Sequence, residues 1–109
     1  QMITKYKKPV YKNISELLNA IAQPNFRSSI IISSLKYSET VKMSGYQQTS
    51  FNMQVSGQFG KIVDFLERLE EMPVLMSLDS IKLSVNKVDT DQVLLQIDCT
   101  YYQLENNNV

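Results

Sequence analysis

Few side chains in this 109-residue chain could do chemistry, and their spacing limits what that chemistry could be. There is no histidine, and Cys99 is the only thiol. Cysteine catalysis needs a thiolate, usually drawn out by a neighbouring base. No imidazole exists here to serve, and Cys99 keeps step with Val93, Leu95, Ile97 and Tyr101 along an alternating run. A buried structural cysteine is the expected role. One cysteine also excludes an internal disulfide and any CxxC redox or metal motif.

Carboxylates are the other candidates. Asp64, Glu67 and Glu71 recur at helical spacing, with Glu70 and Asp79 nearby. They lie opposite the apolar stripe of the same segment, so a solvated outer helix face accounts for them. Asp89-Thr90-Asp91 lacks the glycine and terminal glutamate of a calcium loop and reads as a turn. Gly45, Gly57 and Gly60 stand apart from one another, so no phosphate-binding glycine loop is present. Arg27 and Arg68, the only arginines, sit outside any glycine-rich turn, against an acylphosphatase-like anion cradle. No cofactor is implied, and no enzyme.

Composition sharpens this. Eleven basic and eleven acidic residues cancel overall. Lys5, Lys7, Lys8 and Lys12 give residues 1–12 a charge of +4, and the remaining chain holds seven basic against eleven acidic groups, or −4. A mildly acidic domain with a basic leader is no general nucleic-acid binder. Hydrophobic residues at 43% suit one ordinary globular domain. The longest strongly apolar run is Ile30–Ile32, far short of a membrane span. The first residue is Gln1 and no signal-peptide pattern follows, so the chain is expected to be part of a longer protein.

The elements that would position these groups come in a repeating order. Asn13-Ile14-Ser15-Glu16 fits a capping box, and Ile14, Leu17, Leu18 and Ile21 form a helical stripe that Pro24 stops near Ala22 or Gln23. Ile30–Tyr37 reads as a strand, and Ser38–Gln48 as a polar loop too long for a tight hairpin. Phe51, Met53 and Val55 then alternate with Asn52, Gln54 and Ser56 as a half-buried strand over 48–56. Gly57 marks a sharp passage into a second helix with the stripe Phe59, Ile62, Val63, Leu66 and Leu69, an outer Asp64–Arg68 pair, and a stop at Pro73. Strands follow over 77–86 and 92–102, joined by the turn Asn86–Asp91, and residues 105–109 form a frayed tail.

A shift of 48 residues superposes Ile14, Leu18 and Ile21 on Ile62, Leu66 and Leu69. The order αββ-αββ predicts an α+β fold: a circularly permuted ferredoxin-like sandwich with a four-stranded antiparallel sheet and two helices on one face. The strands 48–56 and 92–102 would be central, and 29–37 and 77–86 the edges. The open sheet face would carry Asn52, Gln54, Ser56, Gln96, Asp98 and Thr100, with Tyr102 as its one aromatic, which is poor for stacking RNA bases. The domains expected are a basic connector over 1–12, the ferredoxin-like domain over 13–104 and the tail.

The run from Val55 through Gly57, Phe59, Phe65, Leu69, Pro73, Leu78 and Ile81 to Tyr101-Tyr102 resembles the periplasmic domain of the PilO family of type IV pilus proteins, relatives of the type II secretion M proteins. Met72-Pro73 stands where Leu-Pro is more usual, and Ile14–Val55 carries few specific residues. The resemblance implies a scaffold on the periplasmic side of a bacterial inner membrane, anchored by a single helix upstream of this fragment. It implies a homodimer or a heterodimer with a PilN-like partner, a PilP-like lipoprotein contact and possible contact with pilins. The expected partner interface is the Ile30–Tyr37 edge beside the first helix, with Ile30, Ile31, Ile32 and Tyr37 as contact residues, since three consecutive isoleucines cannot all face one core. The alternative is a small-molecule-binding regulatory domain of the same fold.

Overall fold

The computed structural model describes residues 11, 13–27, 29–85, 88 and 91–104. The basic leader apart from Tyr11, most of the turn at 86–91 and the tail therefore lie outside the described residues. Helix α1 spans Ile14–Ala22, and Ile14, Leu17, Leu18 and Ile21 are all buried as their spacing predicts. The Asn13 side chain accepts the Glu16 backbone N–H at 3.1 Å, meeting one of the donors a helix start leaves unpaired. Pro24 ends α1 but opens a further short turn, α2 (Pro24–Arg27), fitting proline's freedom from donation at a first helical position.

Strand β1 (Ile31–Tyr37) leads to two elements where a loop is expected. β2 (Val41–Met43) pairs with the start of β3 (Tyr46–Gln58) through a two-residue turn. Gly45 makes that turn possible with φ at 86°, where any Cβ is strained. β2 is only three residues long and wholly exposed, too short a pattern to mark a strand in the sequence.

Helix α3 (Phe59–Glu71) follows, then β4 (Leu75–Val85) and β5 (Gln92–Leu104). All pairings are antiparallel in the order β1-β3-β5-β4, with β2 beside β3 on the β1 side, so the sheet has five strands rather than the expected four. The predicted centres and edges of the sheet are the observed ones. β3 and β5 run longer than predicted and pair along their full thirteen residues, from Tyr46 with Leu104 to Gln58 with Gln92.

A single core lies between one face of this sheet and the helices. Phe51, Met53 and Val55 meet Cys99, Ile97 and Leu95 across the ladder, beneath Leu17, Ile21, Ile62, Phe65 and Leu69. Here the expected α3 stripe needs correction. Phe59 is 57% exposed, whereas Phe65 is fully buried and meets Phe26 edge-on at 5.7 Å between ring centres. Phe59 begins the helix at the sheet's margin, where no layer covers it. Arg68 does not sit on the outer face beside Asp64: its guanidinium donates to the Phe26 carbonyl at 3.0 Å and ties α3 to α2. Gly57 is needed for closeness, since a Cβ there would lie 3.1 Å from Ile30 Cγ2.

Phe65→Ala should therefore cost about 3–5 kcal/mol of stability in urea unfolding, while Phe59→Ser should stay within about 0.5 kcal/mol of the parent. Equal losses would contradict this assignment of the buried face.

Candidate partner-binding edges

Each of the two outer strands of the sheet carries exposed apolar groups. On β1, Ile30 is buried against Gly57 and belongs to the core, so the sequence assignment of Ile30 as a contact residue does not hold. Ile31 turns to the opposite face beside Ser56 and is 63% exposed; Ile32 turns back and is half-buried. Three isoleucines thus divide as in, out and in, as a pleated strand requires. The register slips between Ile32 and Ser34, and Ser33 Oγ donates to the Gln54 carbonyl at 3.1 Å across that bulge. Tyr37 returns to the helix side and is 52% exposed. Ser38 closes the strand: its N–H and Oγ both donate to the Ser50 carbonyl, at 2.9 and 3.2 Å.

On β4 a second bulge falls between Leu78 and Ser80. Asp79 there accepts from Ser77 Oγ at 2.7 Å and from Thr100 Oγ1 at 2.6 Å, which lets the Thr100 hydroxyl be buried without loss. Thr49 is the other buried polar side chain among the described residues, and its hydroxyl lies 2.7 Å from that of Thr40.

The open face of the sheet holds rows of polar pairs, Asn52 with Asp98 and Gln54 with Gln96, as alternation predicts. It has a second aromatic that sequence reasoning missed. Tyr46 lies on that face with its ring centre 6.1 Å from that of Tyr102. A strand read as starting at residue 48 could not reveal it. A depression of about 360 Å³ on this face is lined by Lys36, Ser50, Asn52, Asp79 and Asp98 among others.

Arg27 donates to the Ala22 and Ile30 carbonyls at 3.2 and 3.4 Å, and so holds the α1–β1 connection. Asp64, Glu67, Glu70 and Glu71 lie on the exposed side of α3. Among the described residues no group of three or more acidic or cysteine side chains is placed to hold a metal ion. Cys99 is buried, and desolvation, then the charges of Asp79 and Asp98, push its thiol up to about 12. Tyr101 is also pushed up, first by burial and then by Tyr11 and Glu16, and its hydroxyl donates to the Tyr11 carbonyl at 3.4 Å.

Residues 13–105 match the family described as the type IVa pilus alignment subcomplex PilO C-terminal domain. The chain belongs to the PilO family. The fold agrees. The core region of PilO from the type IV pilus system of Pseudomonas aeruginosa superposes with a TM-score of 0.72 at 17% identity, covering 85% of this chain and 96% of that one. The type 4 fimbrial biogenesis protein PilO of the same organism gives 0.76 at 15% identity, over 95% of this chain and 78% of that one. A core domain from Akkermansia muciniphila gives 0.61 at 11% identity, over 69% and 47%. A comparison with curated protein sequences returns no match. At these identities the solved structures establish the shared fold, and the family match establishes an alignment-subcomplex domain of the type IV pilus assembly machinery. No helix of the described residues is long and apolar enough to cross a membrane.

The Cys99 environment predicts a pH dependence. An unfolded thiol ionises near 9.0 and the folded one near 12. Between these values the unfolded chain holds fewer protons, so stability complete below pH 9 should fall as pH rises, by up to about 1.4 kcal/mol per unit. Urea midpoints measured from pH 8 to 11 should fall more steeply for the parent than for Cys99→Ala; parallel slopes would contradict the burial.

Proposed function

We propose that this domain is a non-catalytic scaffold on the periplasmic side of the inner membrane, and that it pairs with a PilN-like domain along β1 and the neighbouring α1. We read its architecture as a circularly permuted ferredoxin-like duplicate, in which α1-β1-β3 and α3-β4-β5 are equivalent units. That reading is supported by the symmetric sheet order, each half giving one edge and one central strand.

The observation that carries the functional reading is the state of the β1 edge. Among the described residues β1 pairs only with β3, so its outward N–H and C=O groups from Ser34 to Tyr37 can join another chain by strand addition. Ile31 and Tyr37 expose apolar surface on the two faces beside those groups, and Ile32 packs partly beneath α1. Backbone bonds would supply the affinity, and these side chains the choice of partner. PilP-like lipoprotein and pilin contacts would then use surfaces away from this edge.

Titration calorimetry with a PilN-like periplasmic domain tests this. Ile31→Lys, alone and with Ile32→Pro, should weaken binding at least tenfold, while Lys61→Glu on the outer side of α3 should leave it unchanged. Binding that survives both β1 substitutions would overturn the assignment.

A further inference from the structure

The two faces of the sheet present different chemistry. On the helix side β4 exposes an apolar row, with Ile81, Leu83 and Val85 at 50, 46 and 55%. On the open face the middle of the sheet is polar from edge to edge. One row runs across the strands as Lys36, Asn52, Asp98 and Ser80, and the next as Ser34, Gln54, Gln96 and Lys82. The charges cancel there, with Lys36 and Lys82 on the outer strands against Asp98 in the row and Asp79 at the bulge.

These rows differ from the polar groups around them in what they bind. Asp79 is engaged by Ser77 and Thr100, and Thr49 by Thr40. Among the described residues, the side chains of Asn52, Gln54, Gln96 and Asp98 make no hydrogen bond or ion pair with another residue. Each amide carries two donors and an acceptor oxygen, so three amides and a carboxylate stand side by side with that capacity open. The surface is also hollowed over them. The depression of about 360 Å³ and a second of about 250 Å³, which Gln54, Ser80, Lys82 and Gln96 help to line, share Asn52 and Asp98 and so form one trough. Further along the same face come Ser50 and Thr100, and then the Tyr46–Tyr102 ring pair. From Gln54 to Tyr46 is about 27 Å of strand.

We propose that this face binds a neutral, linear, N-acetylated glycan, laid lengthwise between β3 and β5. Charge and polarity identify the occupant. Balanced charge gives a polyanion no net positive surface to neutralise, and rows without an apolar side chain give an acyl chain nothing to bury. Sugar hydroxyls and acetamido groups both donate and accept, as the Asn and Gln amides do, so each amide can meet them in pairs. At the far end, the tyrosines supply apolar ring faces with polar tips, which suit the C–H face of a sugar beside its hydroxyls. The span from the amide rows to the tyrosines holds roughly five or six sugar rings. Because the trough is shallow, the dissociation constant should be on the order of 1 mM. The backbone of the β1 edge takes no part, so that edge keeps its own partner.

The test is a titration of the domain with N-acetylchitohexaose, followed by the side-chain amide signals in its NMR spectrum. The signals of Asn52, Gln54 and Gln96 should move together and saturate, while those of Asn19 and Gln23 beside α1 stay fixed. The disaccharide of the same sugar is too short to reach from the rows to the tyrosines and should bind at least fivefold more weakly. Asn52→Ala with Gln96→Ala should weaken hexamer binding at least tenfold and keep the melting temperature and PilN-like binding. Tyr46→Ala should abolish the advantage of the hexamer over the disaccharide. No saturation at ten times the expected constant would overturn the proposal. So would shifts centred on the helices, affinity indifferent to chain length or to these substitutions, or heparin binding more tightly than the neutral hexamer. The spectra of the parent decide the matter even if a variant fails to fold. Loss of PilN-like binding in the β1 variants bears on the scaffold reading alone and leaves this one intact.

Discussion

Everything in this domain hangs on the pairing of β3 with β5. The two strands run antiparallel over thirteen residues each without a break in register. That ladder fixes which side chains face the helices, because a slip of one residue would turn Phe51, Met53, Val55, Leu95, Ile97 and Cys99 out to solvent together. It also places the outer strands. β1 and β4 each gain one neighbour from the central pair and have no second one among the described residues, which leaves the sheet two open edges there. The bulges at Ser33 and Asp79 fall on these outer strands, where a kink costs the core nothing.

The helices are held by local chemistry that depends on the same frame. Arg27 and Arg68 bind main-chain carbonyls at the junctions between α1, α2, β1 and α3, and Gly57 lets Ile30 close over the end of β3. These contacts give both arginines main-chain partners, and burial encloses the one cysteine. Burial raises the Cys99 thiol, and the charge of Asp79 adds to that rise while its carboxylate satisfies Thr100, so one bulge residue serves hydrogen bonding in the sheet and disfavours the thiolate.

Much of the fold was legible in the residues because alternation and helical spacing are set by burial. Ile14, Leu17, Leu18 and Ile21, and the rows of β3 and β5, declare their faces directly. The strand order followed from the repeated element order. What stayed hidden lacked such a pattern. β2 is exposed throughout and rests on Gly45 and backbone bonds, and its three residues are too few for alternation to mark it. Phe59 and Phe65 both fit an apolar stripe by type, and only the position of α2 decides which one is buried. At the edges, the sequence suggested apolar excess in Ile30–Ile32, whereas Ile30 completes the core and Ile31 alone turns outward. The exposed row on β4 looks in sequence like any half-buried strand; it stands bare only because α3 lies over its neighbours.

Two open edges beside one firm centre suit the scaffold role we propose for this alignment-subcomplex domain. Native-state hydrogen exchange at low concentration tests that account most directly. Amides of Phe51–Val55 and Leu95–Cys99 should exchange only through global unfolding, and alternate amides along Ser34–Tyr37 and Ser80–Val85 should exchange orders of magnitude faster. Edge amides as slow as those of the centre in the isolated, dilute domain would show the edges already covered, and would contradict the account.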